Sequence, residues 1–122
     1  MPLILVIDDD GVTREAMEAL LEHAGFDVCL AADGIEGADR WTIMRPDLVI
    51  TDLQMPRRDG LQIIRLLQRE LPDVPVIACS GCHRGNHRDE LDEAARLGAV
   101  PLRKPVDAME LVALAKAAIR RR

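Results

Sequence analysis

Five short apolar runs recur along the chain, at Leu3–Ile7, Val28–Ala31, Leu48–Thr51, Val76–Cys79 and Val100–Leu102. Each is followed by a longer stretch with apolar residues at three- or four-residue spacing: Val12, Ala16, Leu20 and Ala24, or Leu61, Ile64, Leu67 and Leu71, or Met109, Val112, Ala115 and Ile119. The short runs predict strands and the longer stretches amphipathic helices packing on a sheet. The first run is apolar at every position, as expected of a central strand covered on both faces, whereas the second and fifth are shorter and mixed, as edge strands are. Breakers fall between these segments. Gly25 and Gly98 close helices, Pro72 and Pro75 bracket a turn, Asp33-Gly34 and Asp59-Gly60 precede helices, and Asp107 is placed to cap the last one. Alternating strand and helix with right-handed crossovers gives an α/β fold: an open, doubly wound parallel sheet with helices on both faces.

Composition narrows the function. With 122 residues, 48% hydrophobic and 30% charged, the chain fits one globular domain spanning 1–122. Its net charge is −5 and its basic residues are scattered, so the electrostatic footprint of a direct nucleic-acid binder is missing. The apolar runs, about five residues long, are far below the roughly 20 of a membrane helix. The opening Met1–Ile7 has neither the basic start nor the apolar length of a secretory signal, which predicts a cytoplasmic protein. Three cysteines, Cys29, Cys79 and Cys82, imply no disulfide framework in such a compartment. Phe26 and Trp41 are the only aromatic residues, leaving few rings to stack flavins or bases. The terminal Arg120–Arg122 read as a solvated end favoured by the helix dipole.

In a doubly wound sheet the ligand lies outside the carboxyl ends of the strands. There the chain places Asp8, Asp9 and Asp10 after the first strand, Thr51 and Asp52 at the third, Ser80 and Gly81 at the fourth, and Lys104 at the fifth. A strand order of 2-1-3-4-5 would set these four ends side by side. Carboxylates that close cannot all stay ionised unless a cation joins them. Hard oxygen ligands without histidine select Mg²⁺, which also accepts a phosphate oxygen. Lysine is rare: only Lys104 and Lys116 accompany fourteen arginines, and one of the two stands at a strand end. Its ammonium suits sharing between a carboxylate and a phosphoryl oxygen, the Ser80 hydroxyl can donate to another, and Gly81 lets its N–H come close. The set predicts phosphoryl transfer with Asp52 as nucleophile, forming an acyl phosphate. Each residue alone is more often a cap, a turn residue or an exposed charge. Their joint placement carries the reading.

At this point the chain resembles the receiver domain of bacterial two-component response regulators, of the CheY-like superfamily. The matching stretches are Ile4–Asp10, Asp47–Pro56, Asp59-Gly60, Pro75–Ile77, Gly98-Ala99 and Lys104-Pro105, which cover nearly the whole chain. The resemblance implies a flavodoxin-like, three-layer fold with five strands in the order 2-1-3-4-5 and five helices. It implies that Asp52 is the phosphoacceptor, that Asp8, Asp9, Asp52 and the backbone carbonyl of Gln54 hold Mg²⁺ (or Mn²⁺), that Ser80 is the switch hydroxyl, and that Ser80, Gly81 and Lys104 bind the phosphoryl group. Gln54 and Cys82 would tune the lifetime of the phosphorylated state. Implied partners are a sensor histidine kinase or histidine phosphotransfer protein and a downstream target, the protein being a monomer or weak dimer. It would not be an enzyme in the usual sense, but a phosphoacceptor that catalyses its own phosphorylation and dephosphorylation. Ending after the fifth helix, it reads as a stand-alone receiver or one cut from a larger protein, signalling through helix 4, strand 5 and helix 5. A cis Lys104-Pro105 bond is also implied. Three departures bear on that readout: Pro101 stands where the family usually has an aromatic ring, Val106 replaces a common phenylalanine, and Cys82–Arg88 is unlike the usual entry to helix 4.

Other readings fit the residues less well. Cys79-Ser80-Gly81-Cys82-His83 matches a haem-attachment or redox spacing, but Cys79 reads as the buried end of a strand. Cys82, His83 and His87 lack the spacing of a zinc site. A flavodoxin-type protein would not put three aspartates beside a flavin phosphate. A dehalogenase-type phosphatase would have its second aspartate where Gln54 stands. A docking module that no longer takes up phosphate would have no need for the acceptor, acidic pair and lysine, all of which are present.

Overall fold

In a computed structural model that describes residues 1–54, 60–81 and 87–120, strand and helix alternate throughout. The strands are β1 (Leu3–Ile7), β2 (Asp27–Ala31), β3 (Leu48–Asp52), β4 (Val76–Gly81) and β5 (Val100–Lys104). The helices are α1 (Gly11–His23), α2 (Gly34–Met44), α3 (Gly60–Glu70), α4 (His87–Arg96) and α5 (Ala108–Arg120). All strands are parallel, in the order β2-β1-β3-β4-β5, with β2 and β5 at the edges. β1 is interior, though the middle position belongs to β3, which is buried at every residue. Pro101 sits in an edge strand, where a missing N–H is tolerated.

Strand alternation sorts the core into two layers. Leu5, Ile7, Val49, Leu53, Val76 and Ala78 face α2, α3 and α4, packing with Trp41, Ile63, Ile64, Leu67, Leu91 and Ala94. Ile4, Val6, Leu48, Ile50, Ile77, Cys79 and Leu102 face α1 and α5, packing with Met17, Leu21, Leu111 and Ala115. The helix faces differ in part from the expected ones. In α1 the buried residues are Met17 and Leu21, with Leu20 and Ala24 packed beside them, while Val12 is 77% exposed; in α5 the expected Ala115 is buried with Leu111 and Ile119 packs against them, while Met109 is 82% exposed. The α1 stripe lies one row off because the exposed Ala16 scores as apolar.

The ends of elements follow local chemistry. The Asp33 carboxylate accepts the Glu36 N–H at the start of α2 at 2.8 Å, and Asp107 accepts the Met109 N–H at the start of α5 at 3.1 Å. Gly25 and Gly98 both have φ of 100°, which a side chain would strain. A Cβ on Gly60 would fall on the Leu53 Cα and lie 3.0 Å from the Asp52 carbonyl, so α3 begins directly against the end of β3. The Lys104-Pro105 bond is cis.

Candidate phosphoryl-transfer site

The strand register builds the site. Ile7 is level with Thr51 and Asp52 with Cys79, so Asp8 and Asp52 emerge from neighbouring strands at the same height; Gly81 is level with Lys104 one strand beyond. β3, β4 and β5 run on through Asp52, Gly81 and Lys104, two residues past the apolar runs in β4 and β5. These residues are therefore the last residues of strands, held by the sheet. Alternation continues to the ends: Asp8, Asp52 and Lys104 follow the parity of Val6, Ile50 and Leu102 on the α1/α5 side, and Ser80 follows Ala78 on the other.

Lys104 joins the two acids. Its Nζ lies 2.9 Å from Asp8 Oδ2 and 3.3 Å from Asp52 Oδ2, with both carboxylates buried. Asp8 Oδ1 accepts the Asp10 N–H at 2.9 Å, and Asp52 Oδ1 accepts the Gln54 N–H at 3.0 Å. Burial pushes the Asp52 carboxyl above the ordinary value of 3.8; the Gln54 N–H and the Lys104 charge resist that, and the Asp8 charge adds to it. Burial works to lower the Lys104 ammonium, but the Asp8 hydrogen bond and the two carboxylate charges outweigh it, so the net shift is upward.

Asp8, Asp9 and Asp52 each offer a carboxylate oxygen, all within 4.8 Å of one another, with Asp9 exposed. Ligand oxygens about 2.0–2.1 Å from Mg²⁺ stand roughly 3–4 Å apart, so a small closure of this triad fits that ion. One lysine against three carboxylates leaves an excess of negative charge, and the donors are hard oxygens. The residues fit a divalent cation on both counts. The Ser80 Oγ is fully buried and has no hydrogen-bond partner among the described residues, an orphan polar group that an incoming oxygen would satisfy.

Of the expected site residues, Asp8, Asp9, Asp52, Ser80, Gly81 and Lys104 lie at these strand ends, and Gln54 contributes its N–H to Asp52. Cys82 and His83 lie outside the described residues, as does Asp59. Cys79 is buried, and burial pushes its thiol up to about 12, the opposite of a reactive thiolate. Two residues were not singled out from the sequence. Arg14 donates from Nη1 to the Asp8 carbonyl at 2.8 Å, and the Thr13 hydroxyl donates to Asp10 Oδ2 at 2.5 Å. Both look like ordinary polar residues of a first helical turn, and no spacing rule reveals a bond back to the preceding strand.

Comparison with known proteins agrees with this geometry. The family "Response regulator receiver domain" matches residues 4–116. Response regulator MprA of Mycobacterium sp. (strain KMS) is 39% identical over 99% of this chain and 52% of its own length. The DNA-binding dual master transcriptional regulator RpaA of Synechocystis sp. is 35% identical over 99% of this chain and 50% of its own. The chain thus spans about half the length of these relatives. A response regulator receiver domain protein from Clostridium thermocellum superimposes with a TM-score of 0.92 at 35% identity, covering 99% of this chain and 96% of that one. The receiver domain of NtrX from Brucella abortus gives 0.88 at 30% identity, covering 96% and 98%. With a parallel 2-1-3-4-5 sheet and acids and a lysine gathered at its carboxyl edge, this chain belongs to the receiver domain family of two-component response regulators.

Proposed function

We propose that the chain takes a phosphoryl group onto Asp52 from a histidine kinase or phosphotransfer protein and signals through a change on its α4/β5/α5 face. The observation that supports this most is the Lys104 ammonium shared between Asp8 and Asp52. An Asp52 oxygen attacks the phosphorus of a phosphohistidine. The new O–P bond makes an acyl phosphate as the P–N bond breaks, and the leaving imidazole takes up a proton. Asp52 is suited to the attack because burial destabilises its charged form, while Lys104 keeps it ionised and within reach.

Asp8, Asp9, Asp52 and the Gln54 carbonyl would hold Mg²⁺, with Mn²⁺ as an alternative, and a cation held there would supply charge neutralisation for the transferred group. Lys104 turns from Asp52 to a phosphoryl oxygen, and the Ser80 hydroxyl and Gly81 N–H take others. Ser80 moving towards that group transmits the change. Pro101 has no ring rotamers to follow it, so coupling runs through other groups of β4 and β5. Gln54 and Cys82, two residues past the acceptor and the switch hydroxyl respectively in sequence, tune the lifetime. The reading places the protein in the cytoplasm as one receiver domain, without direct nucleic-acid contact of its own; among the described residues no helix is long and apolar enough to cross a membrane.

The test is intact mass after incubation with acetyl phosphate, with Mg²⁺ or with EDTA. One phosphoryl group gained only with Mg²⁺, and not by Asp52→Asn, is the expected result. No gain by a folded, Mg²⁺-binding parent would instead make the chain a docking module independent of phosphorylation. Lys104→Ala should still bind Mg²⁺ but fail to change its α4/β5/α5 face on phosphorylation, measured by amide exchange there.

A further inference from the structure

Asp8 is fixed at four points. Its Oδ2 accepts from Lys104, its Oδ1 from the Asp10 N–H, and its backbone carbonyl from Arg14 Nη1 at 2.8 Å, while its own N–H donates to the Ala31 carbonyl at the end of β2 at 3.1 Å. Only the Arg14 bond reaches it from a helix side chain. The Arg14 N–H donates to the Asp10 carbonyl at 2.9 Å, the main-chain bond that opens α1, so the guanidinium starts from a backbone anchored to the same corner. Asp10 stands at the N-cap of α1 without making a side-chain capping bond, its carboxylate being taken by the Thr13 hydroxyl.

We infer that Arg14 is a positioning residue for the cation site, a strap from the first turn of α1 that holds the acidic corner Asp8–Asp10 in ligating geometry. The inference rests on the proposed function, because it needs Asp8 and Asp9 to be ligands. Lys104 is shared between Asp8 and Asp52 and moves when it turns to a phosphoryl oxygen, so its tether is the least constant of the four. The Asp8 N–H bond to Ala31 fixes the main chain on the β2 side, and Arg14 fixes the carbonyl on the α1 side. A guanidinium donor suits the task because its planar fork loses little freedom on binding. Groups that orient metal ligands from behind matter to affinity even though they never touch the ion.

The sign of the effect separates this role from the bland one. Arg14 is a positive charge beside a cation site, so if charge were all it contributed, removing it would tighten Mg²⁺ binding. Loss of the strap weakens it instead. The experiment is calorimetric titration of Mg²⁺ alone into the full chain, as the parent, Arg14→Met and Arg14→Lys, well below each variant's unfolding temperature. Arg14→Met should bind about tenfold more weakly at unchanged stoichiometry. Arg14→Lys, which keeps both a charge and a donor, should stay close to the parent. Equal or tighter binding by Arg14→Met would overturn the inference while leaving the phosphoacceptor reading intact. A fall in stoichiometry with unchanged affinity would mark partial unfolding and also count against it. A folded parent that binds no Mg²⁺ would instead sink the reading on which the inference rests.

Discussion

At the scale of single residues, Asp52 links stability to pH. A carboxyl raised above its ordinary value binds a proton in the folded state that the unfolded chain has already released. Stability without metal therefore falls as pH rises from 3.8 through the raised folded value, and the cost is complete above it. Asp52→Asn removes that cost and one member of the acidic triad, while Lys104 keeps its bond to Asp8. In EDTA at neutral pH this variant should melt above the parent by roughly 3–6 °C, for a gain on the order of 1 kcal/mol. The gap should close as pH drops through the Asp52 titration. A parent more stable than the variant at neutral pH would mean that the Lys104 ion pair outweighs burial and repulsion. Cys79 gives a second check. With its thiol pushed up to about 12 and its side chain in the core, iodoacetamide at pH 8 should leave Cys79 unmodified in the native protein and alkylate it once the chain is unfolded. Modification at native rates similar to a free thiol would contradict that burial. The positions of Asp8, Asp9, Asp52 and Lys104 at the carboxyl ends of the strands were legible in the sequence, because each stands at or just past the end of an apolar run. Arg14 was not, because a helical arginine looks the same whether or not it reaches back to a strand.

At the scale of elements, the sheet sets where the chemistry stands. The carboxyl edge is rigid because β3, β4 and β5 stay hydrogen-bonded through Asp52, Gly81 and Lys104. Helix placement depends on two close approaches. A Cβ on Gly37 would lie 2.7 Å from the Ile7 Cδ1 methyl, where α2 crosses β1, and a Cβ on Gly60 would meet main chain beside Asp52. A core methyl can yield by a rotamer change, but backbone cannot. Gly60→Ala should thus cost about 2–3 kcal/mol, and Gly37→Ala less, read as shifts in the urea midpoint at constant m-value. Equal small losses for both would contradict the tight seat of α3. Strand identity was legible because apolar runs of β type are short and bounded by turn residues. Helix existence was legible too, and Ala115 and Ile119 of the α5 face, but not the buried face of α1. Apolar residues there occupy adjacent rows, and a three- or four-residue template fits either one. What settles the choice is volume: Met17 and Leu21 fill the layer against β1 and β3, whereas the small Ala16 and the end-of-helix Val12 stay exposed.

At the scale of the whole molecule, one sheet serves two core layers, so neither helix layer has a core without it. Trp41 is the single tryptophan, 1% exposed, with its indole N–H donating to Glu70 at 2.9 Å across α2 and α3. Its fluorescence reports the α2/α3/α4 layer, while far-ultraviolet circular dichroism reports every element. The two should give coincident urea transitions, as a shared sheet requires. Separate midpoints would show that the layers unfold independently. The strand order was carried by the family resemblance, the apolar runs alone pointing only to an interior β1 with β2 and β5 near the edges; the depth of burial at the carboxyl edge was not legible.

The central claim, that Asp52 is the nucleophile, is tested most directly by locating the phosphoryl group. Borohydride reduces an acyl phosphate to an alcohol, so protein treated with Mg²⁺ and acetyl phosphate, then reduced and digested, should yield a peptide carrying homoserine at position 52. Asp8, Asp9 and Asp10 should remain aspartate throughout. Homoserine at any of those three, with Asp52 unchanged, would contradict the account.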